Sequence, residues 1–179
     1  MTRTIAFLRA INVGGHTVKM EDLRAIFEEL GFSNVETFIA SGNVIFESSA
    51  KDLKLLEKKI AAQLHKSLGY EVATFICTDA ELARVATHQA FPQSQVDAAA
   101  AFNVAFLSDA LDESSKRKLM ALATDIDSFS AHGREVYWLC KKKQSESKFS
   151  NAVLEKTLGI NSTLRGMNTV RKMAEKYAK

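Results

Sequence analysis

The chain has 179 residues, of which 46 % are hydrophobic and 25 % are charged, and its formal net charge is +3. These proportions are typical of globular proteins and exclude an intrinsically disordered chain, and one proline among eight glycines excludes a collagen-like one. Cys77 and Cys140 form neither a disulfide framework nor a zinc motif, and no apolar run approaches the roughly 20 residues of a membrane helix. We therefore expect a soluble, cytoplasmic protein without a membrane partner.

The first 78 residues alternate strand and helix patterns. Apolar residues at helical spacing precede Gly31 and Gly69, and Ser41–Gly42 separates two strand-like runs in the manner of a hairpin. The stretch Ser49–Asp52 offers a helix N-cap. The predicted elements are a strand over 4–11, a helix over 20–30, strands over 35–40 and 43–47, a helix over 53–68 and a strand over 72–77.

The second half repeats this order of elements. A helix is expected from the capping box at Thr78 to about His88, and Pro92 with the polar run after it marks the best boundary. The remaining predictions are a strand over 102–107, a helix over 112–123, a hairpin over 126–131 and 135–140, a helix from Ser150 to 158, a short strand over 161–165 and a final helix over 167–178. In the second hairpin we expect one of Tyr137 and Trp138 to point inward and the other outward.

The repeated βαββαβ order predicts the fold class α+β. We expect two tandem ferredoxin-like α/β plaits followed by a C-terminal helix. The predicted domains are residues 1–90, a plait with a linking helix, and residues 91–179, a plait with a basic C-terminal helix.

Three stretches together resemble a widespread bacterial family labelled domain of unknown function 1697. They are Phe7–Gly15, Ser41–Phe46, and the tail that runs from Lys148 through Thr163 to Thr169. The resemblance covers nearly the whole chain and implies two tandem α/β plaits, but no activity. The chain departs from the family pattern at Ala10, where glycine is usual, and at Gly166–Met167, where Asn-Trp is usual.

A first candidate site follows from the plait topology, because the end of the first strand lies beside the start of the third. Two adjacent glycines after a strand expose backbone N–H groups before a helix N-terminus, which suits an anion or a carbonyl group. The same glycines and the Ser-Gly-Asn turn are also explained by tight turns alone. With His16 near by, the candidate ligand-binding residues are Arg9, Asn12, Gly14, Gly15, Ser41, Gly42 and Asn43.

A second candidate site lies in the basic tail. Residues 134–179 carry eleven Lys/Arg and four Asp/Glu, whereas residues 1–133 carry thirteen and seventeen. The topology places the end of the last strand near the loop before Ser150, so that helix N-termini and cations meet. The candidate anion-binding residues are Lys148, Ser150, Thr163, Arg165, Asn168 and Thr169, and the competing interpretation is a capped helix with a solvated lysine face.

The sequence favours a binding protein for a small anionic ligand. It contains no dinucleotide or P-loop motif, and His16, His65, His88 and His132 have no metal-ligand spacing, so we expect no cofactor and no metal. An enzyme that uses Arg9, Asn12 and Asn43 stays open. So does a nucleic-acid-binding protein that uses the basic tail, although the chain lacks the aromatic strand motif of RNA-recognition domains.

Overall fold

The structure is a computed structural model that describes residues 1–9, 11, 15–39 and 42–178. Within these residues it contains two four-stranded antiparallel sheets and seven α-helices. The chain divides into two compact units, Met1–Ala83 with Met173–Lys179, and Arg84–Lys172. The predicted division between residues 90 and 91 stays a prediction.

The sheet of the first unit has the strand order β2-β3-β1-β4, and neighbouring strands are antiparallel. Its apolar face packs against the first two helices around Leu23, Phe27, Phe46, Ile60 and Leu64. The elements are β1 (Thr2–Leu8), α1 (Met20–Glu29), β2 (Ser33–Thr37), β3 (Asn43–Ser48), α2 (Leu53–Leu68) and β4 (Thr74–Thr78), and α3 (Asp79–Thr87) follows.

The sheet of the second unit has the order β6-β7-β5-β8, again with antiparallel neighbours. Its core contains Leu119, Val136, Trp138, Phe149 and Leu154. The elements are α4 (Gln93–Ala98), β5 (Ala101–Leu107), α5 (Glu113–Met120), β6 (Asp127–His132), β7 (Glu135–Cys140), a 3₁₀ helix (Gln144–Glu146), α6 (Asn151–Leu158), β8 (Ser162–Gly166) and α7 (Met167–Tyr177).

One pair of corresponding helices, α2 and α6, begins and ends in the same way. Helix α2 is capped by Asp52, whose Oδ1 accepts from Leu55 N, and α6 is capped by Ser150, whose Oγ accepts from Val153 N. Both helices end at a glycine with positive φ, Gly69 at 81° and Gly159 at 67°. The order of elements is thus repeated together with its local capping chemistry.

The same two helices protect an edge strand of their sheet. In the first unit Ile76 N in β4 donates to Glu57 Oε1 at 2.9 Å. In the second unit Ser162 N in β8 donates to Glu155 Oε2 at 3.1 Å. Each glutamate therefore occupies a backbone donor on an edge strand, where unpaired donors would invite a further strand.

The predicted elements are largely confirmed, with three larger differences. The strand expected over 4–11 is Thr2–Leu8. The strand expected over 35–40 is Ser33–Thr37, because Ile39 has a φ of 56°, outside the extended region. The polar run after Pro92, expected as a linker, forms α4. No helix among the described residues is long and apolar enough to cross a membrane.

Candidate functional site

Arg9, Gly42 and Asn43, three described members of the first predicted cluster, lie at one end of the first sheet, as expected from the topology. Phe7 pairs with Asn43, and Leu8 N donates to Gly42 O at 2.8 Å, so the end of β1 adjoins the start of β3. Arg9, which follows β1, is half-buried, and its N–H donates to Ala73 O at 3.0 Å. Three members of the prediction, Asn12, Gly14 and Ser41, lie outside the described residues.

Asn43 has a structural task in this cluster. Its side chain is 0 % exposed, and Nδ2 donates to Phe38 O at 2.9 Å while Phe38 N donates to Asn43 O. The amide therefore closes the connection between β2 and β3. Gly42 also has a packing reason, since a Cβ there would lie 2.6 Å from Ile11 Cγ2. Whether Arg9, Gly15, Gly42 and Asn43 bind a ligand stays a prediction.

His16, which follows Gly15, lies against an aromatic ring. Its imidazole stacks on Tyr70 with ring centroids 3.8 Å apart. The Tyr70 hydroxyl is buried and has no hydrogen-bond partner among the described residues. The stacked pair therefore adds an aromatic surface and a buried hydroxyl next to the first cluster, whose binding role stays a prediction.

The second predicted cluster is divided between the two faces of its sheet. Leu164 packs into the core that contains Leu154 of α6, so its neighbours Thr163 and Arg165 point to the opposite face. Ser150 is exposed and uses its hydroxyl to cap α6, and Lys148 and Asn168 are also exposed. Thr169 is half-buried. Of the six predicted residues, Thr163 and Arg165 are in direct contact.

Arg165 is a buried cation with local partners. Its guanidinium donates from Nη1 to Thr163 Oγ1 at 2.7 Å and to Leu164 O at 2.9 Å, and the residue is 9 % exposed. Burial lowers the pKa of Arg165 to about 10, so the side chain stays charged near neutral pH. These contacts hold the guanidinium against residues of its own strand, β8. The anion-binding role of Arg165 stays a prediction.

A hydrogen-bonded carboxylate anchors the loop between the second hairpin and α6. Asp127 Oδ1 accepts from Trp138 Nε1 at 2.8 Å, and Thr124 Oγ1 lies 3.0 Å from Oδ2. Ser147 Oγ lies 2.9 Å from both carboxylate oxygens. Burial alone would raise the pKa of Asp127, but the hydrogen bonds from Trp138, Ser147 and Thr124 outweigh it and hold that pKa below its usual range. This carboxylate is structural.

The expectation that one of Tyr137 and Trp138 points outward is wrong. Both side chains are 0 % exposed. Trp138 enters the core beside Phe149, and Tyr137 lies on the other face, where His88 reaches it with ring centroids 5.0 Å apart. The two rings do lie on opposite faces of the sheet, as strand alternation predicts. Tyr137 is nevertheless buried, because His88, which follows α3, covers its face.

A cavity of about 290 Å³ opens at this second face. Tyr137 lines it and is fully buried, whereas Arg84, His132 and Gly133 are exposed. The lining residues come from the end of α3 and from the hairpin β6–β7, and they are Arg84, Val85, Thr87, His88, His132, Gly133, Glu135 and Tyr137. All eight belong to the second unit.

Two imidazoles form the most unusual feature of the cavity. The rings of His88 and His132 are stacked, with centroids 4.4 Å apart and an interplanar angle of 13°. Burial, and then the neighbouring His132, hold the pKa of His88 below its usual range. Among the described residues no group of three or more His, Cys, Asp or Glu could hold a metal ion. Each imidazole can gain or lose a proton at a ring nitrogen.

Tyr137, which lines the cavity, carries a buried hydroxyl. It has no hydrogen-bond partner among the described residues. Burial, followed by the charge of Glu135, strongly raises the pKa of Tyr137, and Arg84 opposes the shift. The phenol therefore stays protonated and can donate or accept a hydrogen bond.

The sequence did not predict that His88 and His132 lie in contact. One usable signal was the alternation in the second hairpin, which places His132, Glu135 and Tyr137 on the face opposite Trp138. Nothing in the sequence indicates that the end of α3 covers this face.

Comparisons with known proteins agree on the fold and name no activity. A family model described as "Protein of unknown function (DUF1697)" matches residues 1–137. A solved structure titled as that of the conserved bacterial protein SP0830 from Streptococcus pneumoniae superposes with a TM-score of 0.80 at 22 % identity, covering 100 % of this chain and 99 % of that one. No curated protein matches the chain.

Proposed function

We propose that this chain, which belongs to the DUF1697 family of proteins of unknown function, binds a small polar ligand in the cavity beside His88, His132 and Tyr137. One observation carries the proposal, the fully buried Tyr137 hydroxyl that lacks a hydrogen-bond partner among the described residues. A buried hydroxyl left without a partner costs about 1–3 kcal/mol. A ligand that supplies the missing hydrogen bond would recover this free energy.

The cavity has the size and the composition for such a ligand. Its volume of about 290 Å³ suits a small metabolite rather than a polymer. Imidazole, guanidinium, carboxylate and phenol groups surround it and offer directional contacts. The sequence also favoured a protein that binds a small molecule, although it predicted binding sites at other residues.

We propose that the protein is cytoplasmic and that each of its two units is a ferredoxin-like α/β plait. The order β2-β3-β1-β4 and the order β6-β7-β5-β8 support the plait for each unit. Function does not follow from this fold, because the same fold serves many functions.

Nucleic-acid binding through the basic tail stays a prediction and receives less support. Several of the tail cations have protein contacts: Arg165 is buried, Arg171 lies over the Phe102 ring at 5.6 Å, and Lys176 Nζ lies 3.6 Å from Glu36 Oε2. A phosphate-binding surface needs cations that face solvent together. An enzyme that uses Arg9, Asn12 and Asn43 also stays a prediction.

A metabolite panel tests the proposed function. We expect ligand-observed NMR to find binders for the wild-type chain, and Tyr137→Phe to weaken them at least tenfold, because it removes one hydroxyl and keeps the ring. Without ligand, Tyr137→Phe should be about 1 kcal/mol more stable, since no buried hydroxyl is then unsatisfied.

Tyr70→Phe is the matched control, because Tyr70 carries the other buried hydroxyl without a described partner. It should leave ligand binding unchanged. If Tyr70→Phe abolishes binding and Tyr137→Phe does not, the proposal is wrong and the site lies at the cluster of Arg9, Gly15 and Gly42. A panel that finds no binder also contradicts it.

A further inference from the structure

We propose that the cavity binds an anionic oxygen group, a carboxylate or a phosphate, and that binding places one proton from solvent on the His88–His132 pair. This inference rests on the proposed function, because it names the ligand class and the protonation state of the same site. The proton leaves the buffer and is held on an imidazole nitrogen, so that one positive charge enters the cavity with the anion.

The preference for an anion follows from the hydrogen-bonding groups around the cavity. The lining contains the guanidinium N–H groups of Arg84 and one ring N–H on each imidazole. It also contains the hydroxyl of Thr87, which donates to Arg84 O at 3.4 Å, and Tyr137, whose hydroxyl is buried. The lining contains one carboxylate, that of Glu135. Its Oε2 lies 3.0 Å from the position of a Cβ on Gly133, so this carboxylate lies against the hairpin turn. Donors therefore predominate in the lining.

The proton uptake follows from the charges that face the two imidazoles. Arg84 comes from α3, His132 from β6, and Glu135 and Tyr137 from β7. With neutral imidazoles and a protonated phenol, the formal charges of Arg84 and Glu135 cancel, and the cavity carries no net charge to hold an anion. One protonated imidazole gives it a charge of +1.

The stacking geometry limits the uptake to one proton. Two imidazolium rings with centroids 4.4 Å apart repel each other strongly. His88 is also half-buried between the rings of His132 and Tyr137, so its neutral form is favoured until an anion arrives. An anion stabilises the singly protonated pair and raises its proton affinity.

Calorimetry with simple anions tests the inference. Sulfate stands for a phosphate group and acetate for a carboxylate, and both are ionised above about pH 6. Titrations in two buffers of different ionisation enthalpy should show up to one proton taken up per anion. Affinity should fall about tenfold between about pH 6 and about pH 7.5, because binding that takes up a proton weakens as the proton concentration falls.

Variants distinguish the pair from other histidines. The double variant His88→Gln with His132→Gln should abolish the proton uptake, while His65→Gln, on the exposed surface of α2, should keep it. Binding of sulfate alone assigns a phosphate-type ligand, and binding of acetate alone assigns a carboxylate-type ligand. Anion binding to the wild-type chain without proton uptake, or uptake that persists in the double variant, overturns the inference.

The two proposals fail in different ways. If the metabolite panel yields a Tyr137-dependent ligand that is uncharged, or whose affinity does not change with pH, the cavity is a binding site but the inference is wrong. If neither the panel nor the anions bind, both proposals are wrong.

Discussion

Gly42 and Gly69 have the same backbone conformation, with φ values of 80° and 81°, but different surroundings. A Cβ on Gly42 would lie 2.6 Å from Ile11 Cγ2 and 3.0 Å from Leu8 O, whereas Gly69 has open space. We expect Gly69→Ala to cost about 1 kcal/mol from the positive φ alone, and Gly42→Ala to cost about 3 kcal/mol because a clash is added. Urea unfolding of both variants measures the difference, and equal losses would contradict the steric explanation.

Asp127 makes the free energy of unfolding depend on pH in the acidic range. Because hydrogen bonds hold its folded-state pKa below the usual value, its contribution is complete above the unfolded pKa, about 4, and is lost as the pH falls through the folded pKa. Asp127→Asn should therefore be less stable than wild type at about pH 7, and the gap should shrink at about pH 3. Chemical unfolding at both pH values checks this, with the exposed Asp125→Asn as the control. A gap that stays constant with pH would count against it.

The paired glutamates of α2 and α6 give a prediction at the scale of elements. Glu57→Ala removes the hydrogen bond to Ile76 N and the ion pair with Lys54 at 3.6 Å, and we expect a loss of about 2 kcal/mol. Glu57→Gln keeps an acceptor oxygen and should lose less. Urea unfolding compares the two. A glutamine variant as unstable as the alanine variant would assign the effect to charge rather than to the edge-strand hydrogen bond.

Most elements were predictable from the sequence, because apolar spacing and helix caps are local signals. Ser150 is an N-cap as expected, the N-cap Asp52 lies in the expected stretch Ser49–Asp52, and β7 has the predicted bounds Glu135–Cys140. The end of β2 was not predictable, since a positive φ at Ile39 contradicts the preference of a β-branched residue. The role of Asn43 was missed for a similar reason, because its partner Phe38 O depends on the course of that connection.

At the scale of the whole molecule, the candidate cavity depends on contacts between distant parts of the sequence. His88 follows α3, and His132 and Tyr137 lie more than forty residues later in one hairpin. Residue patterns predict which face of a strand a side chain occupies, but they do not predict which helix covers that face. The sites predicted from the sequence therefore lie at glycine turns and basic residues, because those features can be recognised from neighbouring residues alone.

The end of the chain returns to the first unit, and this gives the last prediction. The first unit includes Met173 and Tyr177, which are 0 % and 4 % exposed. Arg3 Nη1 donates to Tyr177 O at 2.7 Å, and the Tyr177 hydroxyl lies 3.1 Å from Glu36 Oε2. A chain ending at residue 172 should lose about 4 kcal/mol from the two buried side chains, with hydrogen exchange accelerated in β1 to β4 more than in β5 to β8. Tyr177→Ala keeps the backbone carbonyl that Arg3 contacts, so it should lose about half as much. Equal acceleration in both sheets would show instead that the segment stabilises the two units alike.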